Sequence, residues 1–138
     1  MLTIGKLAAR AEVSTNALRF YEREGLIQPS SKSASGYRLY DDAAMARVSF
    51  IKHAQHCGFT LTEISELLTL RAQSSACCND VRQLAVEKKL QLEAKIRSMK
   101  AMSKALDLLI ADCPDGRRPI GDCPILGAME RVSVGGAW

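Results

Sequence analysis

The sequence predicts a mainly α protein with an N-terminal winged helix-turn-helix, one long helix of coiled-coil character and a short cysteine-bearing C-terminal loop. Three observations carry this. Two short helical patterns follow one another near the N-terminus, each opened by a capping residue and parted by a two-residue break. A stretch from about Asn79 to Ala111 runs without glycine or proline. Beyond it, Cys113 and Cys123 bracket a loop holding Pro114, Gly116, Pro119 and Gly121, residues that interrupt helix and strand and fold a chain back on itself.

The elements follow in order. Thr3 is suited to cap a helix in which Ile4, Leu7, Ala8 and Ala11 recur at helical spacing. After a break at Glu12 and Val13, Ser14 caps a second helix that ends at Gly25. Ala17, Leu18 and Tyr21 share one face of it, and Arg19 and Arg23 another. Residues 28–35 are rich in Ser and Lys and contain Pro29, and Gly36-Tyr37-Arg38-Leu39-Tyr40 then suits a short strand of a hairpin, the wing. Asp41 or Asp42 caps a third helix with Val48, Ile51, His53 and Ala54 in its apolar pattern, ended by Gly58. Thr60-Leu61-Thr62-Glu63 opens a fourth, continuing through Ile64, Leu67 and Leu68.

The long stretch carries Val81, Leu84, Leu92, Ile96, Met99, Met102, Leu106, Leu109 and Ile110 as its apolar positions. A stripe of roughly thirty residues with spacings near three and four suggests a coiled coil, hence a homodimer, because it would otherwise face water. The alternative is a helix packed across its own N-terminal half. Cys78 precedes this helix and Cys113 follows it, 35 positions on. At a rise of 1.5 Å per residue they stand roughly 50 Å apart, too far to hold one ion within a chain. If two such helices pair antiparallel, Cys78 of one protomer meets Cys113 and Cys123 of its partner, which predicts two shared sites per dimer. Facing thiolates grip a soft metal ion. Two unrelated thiols, or a disulfide across a surface loop, are the other readings of Cys113 and Cys123.

Composition narrows the classes. The chain has 138 residues, enough for one ordinary domain or two small ones, and 47% of them are hydrophobic. No run of 18 apolar residues appears, and the N-terminus lacks the pattern of an export signal, so a cytoplasmic protein without membrane contact is expected. An odd count of five cysteines then favours reduced thiols. The net charge of +4 is small, but residues 1–60 hold eight Lys/Arg against five Asp/Glu, whereas the remainder holds eleven against ten. The positive excess lies in the helix-turn-helix half. No nucleophile with a base and no phosphate loop appears, so no enzyme is expected. Trp138 is the sole bulky aromatic beyond residue 60, which leaves no visible pocket for an organic effector.

At this point the chain resembles the MerR family of bacterial metal-responsive transcription regulators over essentially its whole length. The opening Leu2-Thr3-Ile4-Gly5-Lys6-Leu7-Ala8, the segment from Leu18 to Ile27 and the wing Gly36-Tyr37-Arg38-Leu39-Tyr40-Asp41 match the family's DNA-binding half in order and spacing. Phe50-Ile51-Lys52-His53-Ala54-Gln55 with Gly58-Phe59-Thr60-Leu61 is similar to the second part of that half, and Asp122-Cys123-Pro124-Ile125-Leu126 to the end of the family's metal loop. The resemblance implies a winged helix-turn-helix DNA-binding domain over 1–70, a hinge over 71–78, an antiparallel dimerisation helix over 79–112, and a metal-binding loop and tail over 113–138. It also implies promoter DNA, RNA polymerase and a second copy of the chain as partners. The dimer is expected to repress without metal and, with metal, to bend and untwist an overlong promoter spacer, activating metal resistance or efflux genes.

For DNA contact the residues and the resemblance agree. Ser14, Thr15 and Asn16 at the start of the second helix offer donors to phosphates or base edges, and Arg19 and Arg23 project one turn apart. Tyr21 reads equally as a phosphate donor or as core. Arg38 and Tyr37 in the wing reach backbone or minor groove, and Lys32 adds a phosphate contact. His53 and His56 are surface or core residues rather than ligands, Cys57 is expected to pack inside this half, and the tail from Gly127 to Trp138 is expected to be mobile.

By resemblance, sensors of monovalent copper, silver or gold hold the ion between the two loop cysteines, whereas sensors of mercury, zinc, cadmium or lead add a thiolate at the helix start. Cys78 occupies that place, so the expected effector is a soft divalent ion held by Cys78, Cys113 and Cys123, with Cys77 a candidate further ligand. Pro114 and Arg118 stand near where two-zinc members carry a cysteine and a histidine, which argues against a two-zinc site. Arg117 and Arg118 could offset thiolate charge. A monovalent sensor and a thiol redox regulator remain the alternatives.

Overall fold

The computed structural model describes residues 1–114 and 116–131. It divides into two compact units, Met1–Lys88 and a second from Lys89 onward.

In the first unit, capping residues set the helix starts. Thr3 accepts the Lys6 N–H and opens α1, Ile4–Ala11, and Ser14 accepts the Ala17 N–H and opens α2, Thr15–Arg23. Of the two aspartates expected to cap the third helix, Asp41 does so, accepting the Ala44 N–H at 3.0 Å before α3, Asp42–His56. That backbone donor holds the Asp41 carboxyl below the usual range. A full capping box starts α4, Leu61–Ala72: Thr60 accepts the Glu63 N–H while the Glu63 carboxylate accepts the Thr60 N–H.

The turn between α1 and α2 places Glu12 in the left-handed region, at φ 57°. The Lys52 ammonium donates to the Ala11 carbonyl at 3.1 Å and lies 3.5 Å from the Glu12 carboxylate. One lysine of α3 therefore steadies the end of α1.

The sheet is larger than the sequence reading. The strands β2, Ser31–Lys32, and β3, Arg38–Tyr40, form the wing hairpin, and a third strand, β1, Leu2–Thr3, pairs antiparallel with β3 in the order β1-β3-β2. The turn closes when the Gly36 N–H meets the Ser33 carbonyl at 2.9 Å; Gly36 has φ 86°, a conformation glycine adopts without steric cost.

Leu7, Leu18, Ile27, Tyr40, Val48, Ile51 and Ile64 are fully buried, so α1 to α4 and the sheet share one core. Burying each aliphatic member contributes about 1.5–3 kcal/mol. Cys57 does not belong to that core. It caps the C-terminus of α3 and is exposed, because the chain turns there through Gly58, at φ 90°, toward α4.

The helix α5, Cys78–Ala111, runs 34 residues and starts one residue before the expected 79. In the second unit the loop contains a 3-10 turn over Ile120–Asp122, and a further helix, α6, Pro124–Glu130, follows. The expected mobile tail is thus helical as far as Glu130; its residues 132–138 and Asp115 of the loop lie outside the described residues. Among the described residues no helix is long and apolar enough to cross a membrane.

Candidate nucleic-acid interface and metal centre

Local capping aims α2. Because the Ser14 oxygen accepts the Ala17 N–H at 3.0 Å, Ser14 retains its hydroxyl proton for an outside acceptor. Asn16, Arg19 and Arg23 are exposed, and Thr15 is half-buried. The Arg23 guanidinium lies 5.8 Å from the centre of the Phe20 ring, a contact that orders it.

The wing stands beside this helix through a network centred on Glu22, which sequence reasoning missed. Arg38 meets the Glu22 carboxylate at 2.7 Å, and the Tyr40 hydroxyl donates to the same oxygen, Oε2, at 3.2 Å. Burial, with the Glu22 charge second, pushes the Tyr40 phenol up. An open groove of about 390 Å³ results, lined by Thr3, Ile4, Arg19, Gly36, Tyr37 and Arg38. The structure thus brings Arg19 together with both wing residues. Lys32 stands opposite Arg38 across the β2–β3 ladder, and both are exposed. Glu22 offsets part of the Arg38 charge, which eases the like-charge cost across the ladder and leaves Lys32 to add positive charge on this surface.

Tyr21 does not belong to that surface. It is buried, and its hydroxyl donates to Gln55 Oε1 on α3 at 2.7 Å, so its one donor is used inside the fold. Burial also pushes its phenol up. The phosphate-donor reading of Tyr21 gives way to the core reading.

The thiols are placed by regular backbone. Cys77 directly precedes α5, and the Asp80 carboxylate accepts its N–H at 2.9 Å while the Asp80 N–H donates to the Cys77 carbonyl at 3.0 Å. This reciprocal pair orders the helix start and presents Cys77 and Cys78, both exposed, at an end that favours anionic groups. Beside them lies a hollow of about 280 Å³ lined largely by apolar side chains, including Phe50, Leu67, Leu70, Ala76 and Val81. Cys113 follows the last residue of α5 by two positions and is half-buried. Cys123, also half-buried, sits between the 3-10 turn and α6, whose N-cap it is. The Cys-Pro step was the available signal for that helix, since proline suits its first position.

Among the described residues none of the cysteines is in a disulfide, and no group of three or more His, Cys, Asp or Glu side chains converges within one chain. Cys57, His53 and His56 are exposed on the far end of α3. Along α5, Ile96, Met99, Met102, Leu106 and Ile110 are each at least half exposed and share one side of the helix, an exposed apolar row.

Comparison with known proteins returns two family models: MerR HTH family regulatory protein over residues 2–70, and MerR, DNA binding, over residues 45–109. The HTH-type transcriptional regulator HmrR of Sinorhizobium medicae is 36% identical over 130 residues, covering 94% of this chain and 87% of that protein. The mercuric resistance operon regulatory protein of Bacillus cereus is 36% identical over 128 residues, covering 93% and 96%. Among solved structures, the transcription regulator PbrR691 from Ralstonia metallidurans CH34 in complex with lead(II) superposes with a TM-score of 0.81 at 32% identity, covering 94% of this chain and 99% of that one.

Proposed function

Since this chain belongs to the MerR family of helix-turn-helix regulatory proteins, a family of DNA-binding transcription regulators and not of enzymes, we propose that it switches a promoter in response to a soft divalent metal ion. The observation that carries this reading is the placement of thiols at both ends of an apolar-faced helix: Cys78 opens α5, and Cys113 follows its close. Two copies paired antiparallel along that row would set Cys78 of one protomer against Cys113 and Cys123 of its partner. Three thiolates and no histidine suit mercury, cadmium or lead, with zinc completing its shell from water or Cys77. The mercuric relative and the lead-bound neighbour support the same class.

On DNA, Arg19, Arg23 and the α2 N-terminal residues Ser14, Thr15 and Asn16 enter the major groove, and Tyr37, Arg38 and Lys32 of the wing hold the flanking backbone. The protein acts in the cytoplasm as a homodimer, repressing without metal. With metal it distorts the promoter so that RNA polymerase engages both recognition elements, and resistance or efflux genes are activated. Thiols must lose their protons to ligate, so binding releases protons and weakens in acid. A nearly complete switch requires the ion to favour the distorting dimer by about 10⁴-fold. Footprinting on the operator with and without each ion tests this: cleavage at the operator centre should change with metal while the flanks stay protected. An unchanged centre with every soft ion would refute the switch.

A further inference from the structure

Among the described residues, Lys88 is the one charged residue that is buried, at 6% exposure. Its ammonium lies 2.8 Å from Glu63 Oε1 and 5.8 Å from the centre of the Phe59 ring. That same Oε1 accepts the Thr60 N–H at 2.8 Å, so the oxygen that opens α4 is also the one that receives α5. Phe59 in turn packs on the common core. The contact therefore joins α5 to the point where the α3–α4 turn enters the helix-turn-helix half.

Stability alone does not explain a lysine here. Withdrawing an ammonium from water costs several kcal/mol, and replacing a buried ion pair with apolar groups of similar volume is often neutral or stabilising. What an ion pair adds is direction. Met or Leu at position 88 would pack over a range of helix rotations, whereas the ammonium keeps its contact with Glu63 Oε1 over a narrower one. A rotation of α5 by one residue, about 100°, carries the side chain out of reach. Past Lys88 the helix continues unbroken to Ala111, so Lys88 belongs to the same helix as the apolar row.

We propose that Lys88, through Glu63 and Phe59, is the positioning residue that couples rotation of the dimerisation helix to the DNA-binding helices. This rests on the metal-switch reading above. The two settings of the switch then differ by whether this ion pair is made.

The test compares wild type with Lys88→Met, which keeps the buried stem and removes the charge, and with Glu63→Gln, which keeps an acceptor for the Thr60 N–H. In the full-length dimer, mercury affinity is read from thiolate absorption, operator affinity from fluorescence anisotropy, and the switch from the mercury-dependent change in cleavage at the operator centre. Both variants should bind mercury and operator within about threefold of wild type, while the operator centre no longer changes with mercury. A change at the centre that persists unaltered in Lys88→Met overturns the proposal. So does parallel loss of metal and operator binding, which would mark Lys88 as a structural residue only. A wild-type operator centre that does not respond to mercury would instead overturn the metal-switch reading, and this inference with it.

Discussion

Removing the hydroxyl of Tyr21 separates the two roles that its position allows. Tyr21 lies on α2 two residues from Arg19, yet it is buried, and its hydroxyl donates to Gln55 on α3 at 2.7 Å. Tyr21→Phe keeps the ring and its packing and deletes one hydrogen bond, a net loss of about 0.5–1.5 kcal/mol. Gln55 is exposed, so its carbonyl turns to water rather than standing unsatisfied, and this places the cost near 1 kcal/mol. Melting should fall by roughly 3–5 °C. Gln55→Ala alone and the double variant complete a cycle, whose coupling energy should be about 0.5–1 kcal/mol. Operator affinity, measured in parallel by fluorescence anisotropy, should stay within about twofold. The variant should also blunt the alkaline loss of stability. Burial raises the folded-state phenol above 10.0, so its contribution is complete below pH 10 and disappears as pH climbs through the raised value. Unchanged melting together with a tenfold loss of operator affinity would refute the core assignment and return Tyr21 to the DNA surface.

Other consequences can be measured independently. Arg38→Ala should lower the slope of log affinity against log salt by roughly 0.9, whereas Arg19→Ala should cost about 1–3 kcal/mol on the operator and relax discrimination at one base position; equal losses on operator and random DNA for Arg19→Ala would assign it to phosphate. Lys88 first, and the Thr60 N–H second, hold the Glu63 carboxyl at about 2 against an ordinary 4.5. A depressed carboxylate contributes stability above pH 4.5 and loses it as pH falls toward 2, by about 1–2 kcal/mol once the 30% exposure of Glu63 is discounted. Denaturant melts of wild type and Glu63→Gln across that window should converge at the acid end, and parallel curves would count against the pair. Glu12→Gly should stabilise by about 0.5–1 kcal/mol by relieving the left-handed backbone, since its contact with Lys52 is largely exposed; a lower melting temperature would show that contact to matter more.

The helix starts were legible because each is written in a few adjacent residues: Thr3, Ser14, Asp41 and the Thr60–Glu63 box. What escaped depends on partners far along the chain. β1 is two residues long and becomes a strand only by pairing with Leu39 and Tyr40. Glu22 organises the wing from 16 and 18 positions away, and Gln55 claims the Tyr21 hydroxyl across 34. Nothing local marks Lys88 as buried, since its surroundings are built by Glu63 and Phe59. Cys57 was placed by residue type, because cysteine is usually buried, but the turn at Gly58 decides its exposure. The thiol spacing was readable because a helix without glycine or proline converts sequence separation into distance, yet among the described residues of one chain no three ligands come together.

The most direct test of the shared site is complementation between two defective chains. Cys78→Ser and the double variant Cys113→Ser/Cys123→Ser are each titrated with mercury by thiolate absorption, then mixed under exchange and titrated as the heterodimer. If the ligands come from both protomers, each defective homodimer has no complete site, and the heterodimer regains one high-affinity ion per dimer, half the wild-type number. Failure of the heterodimer to regain that ion, or full binding by the Cys78→Ser homodimer, would contradict a site shared between chains.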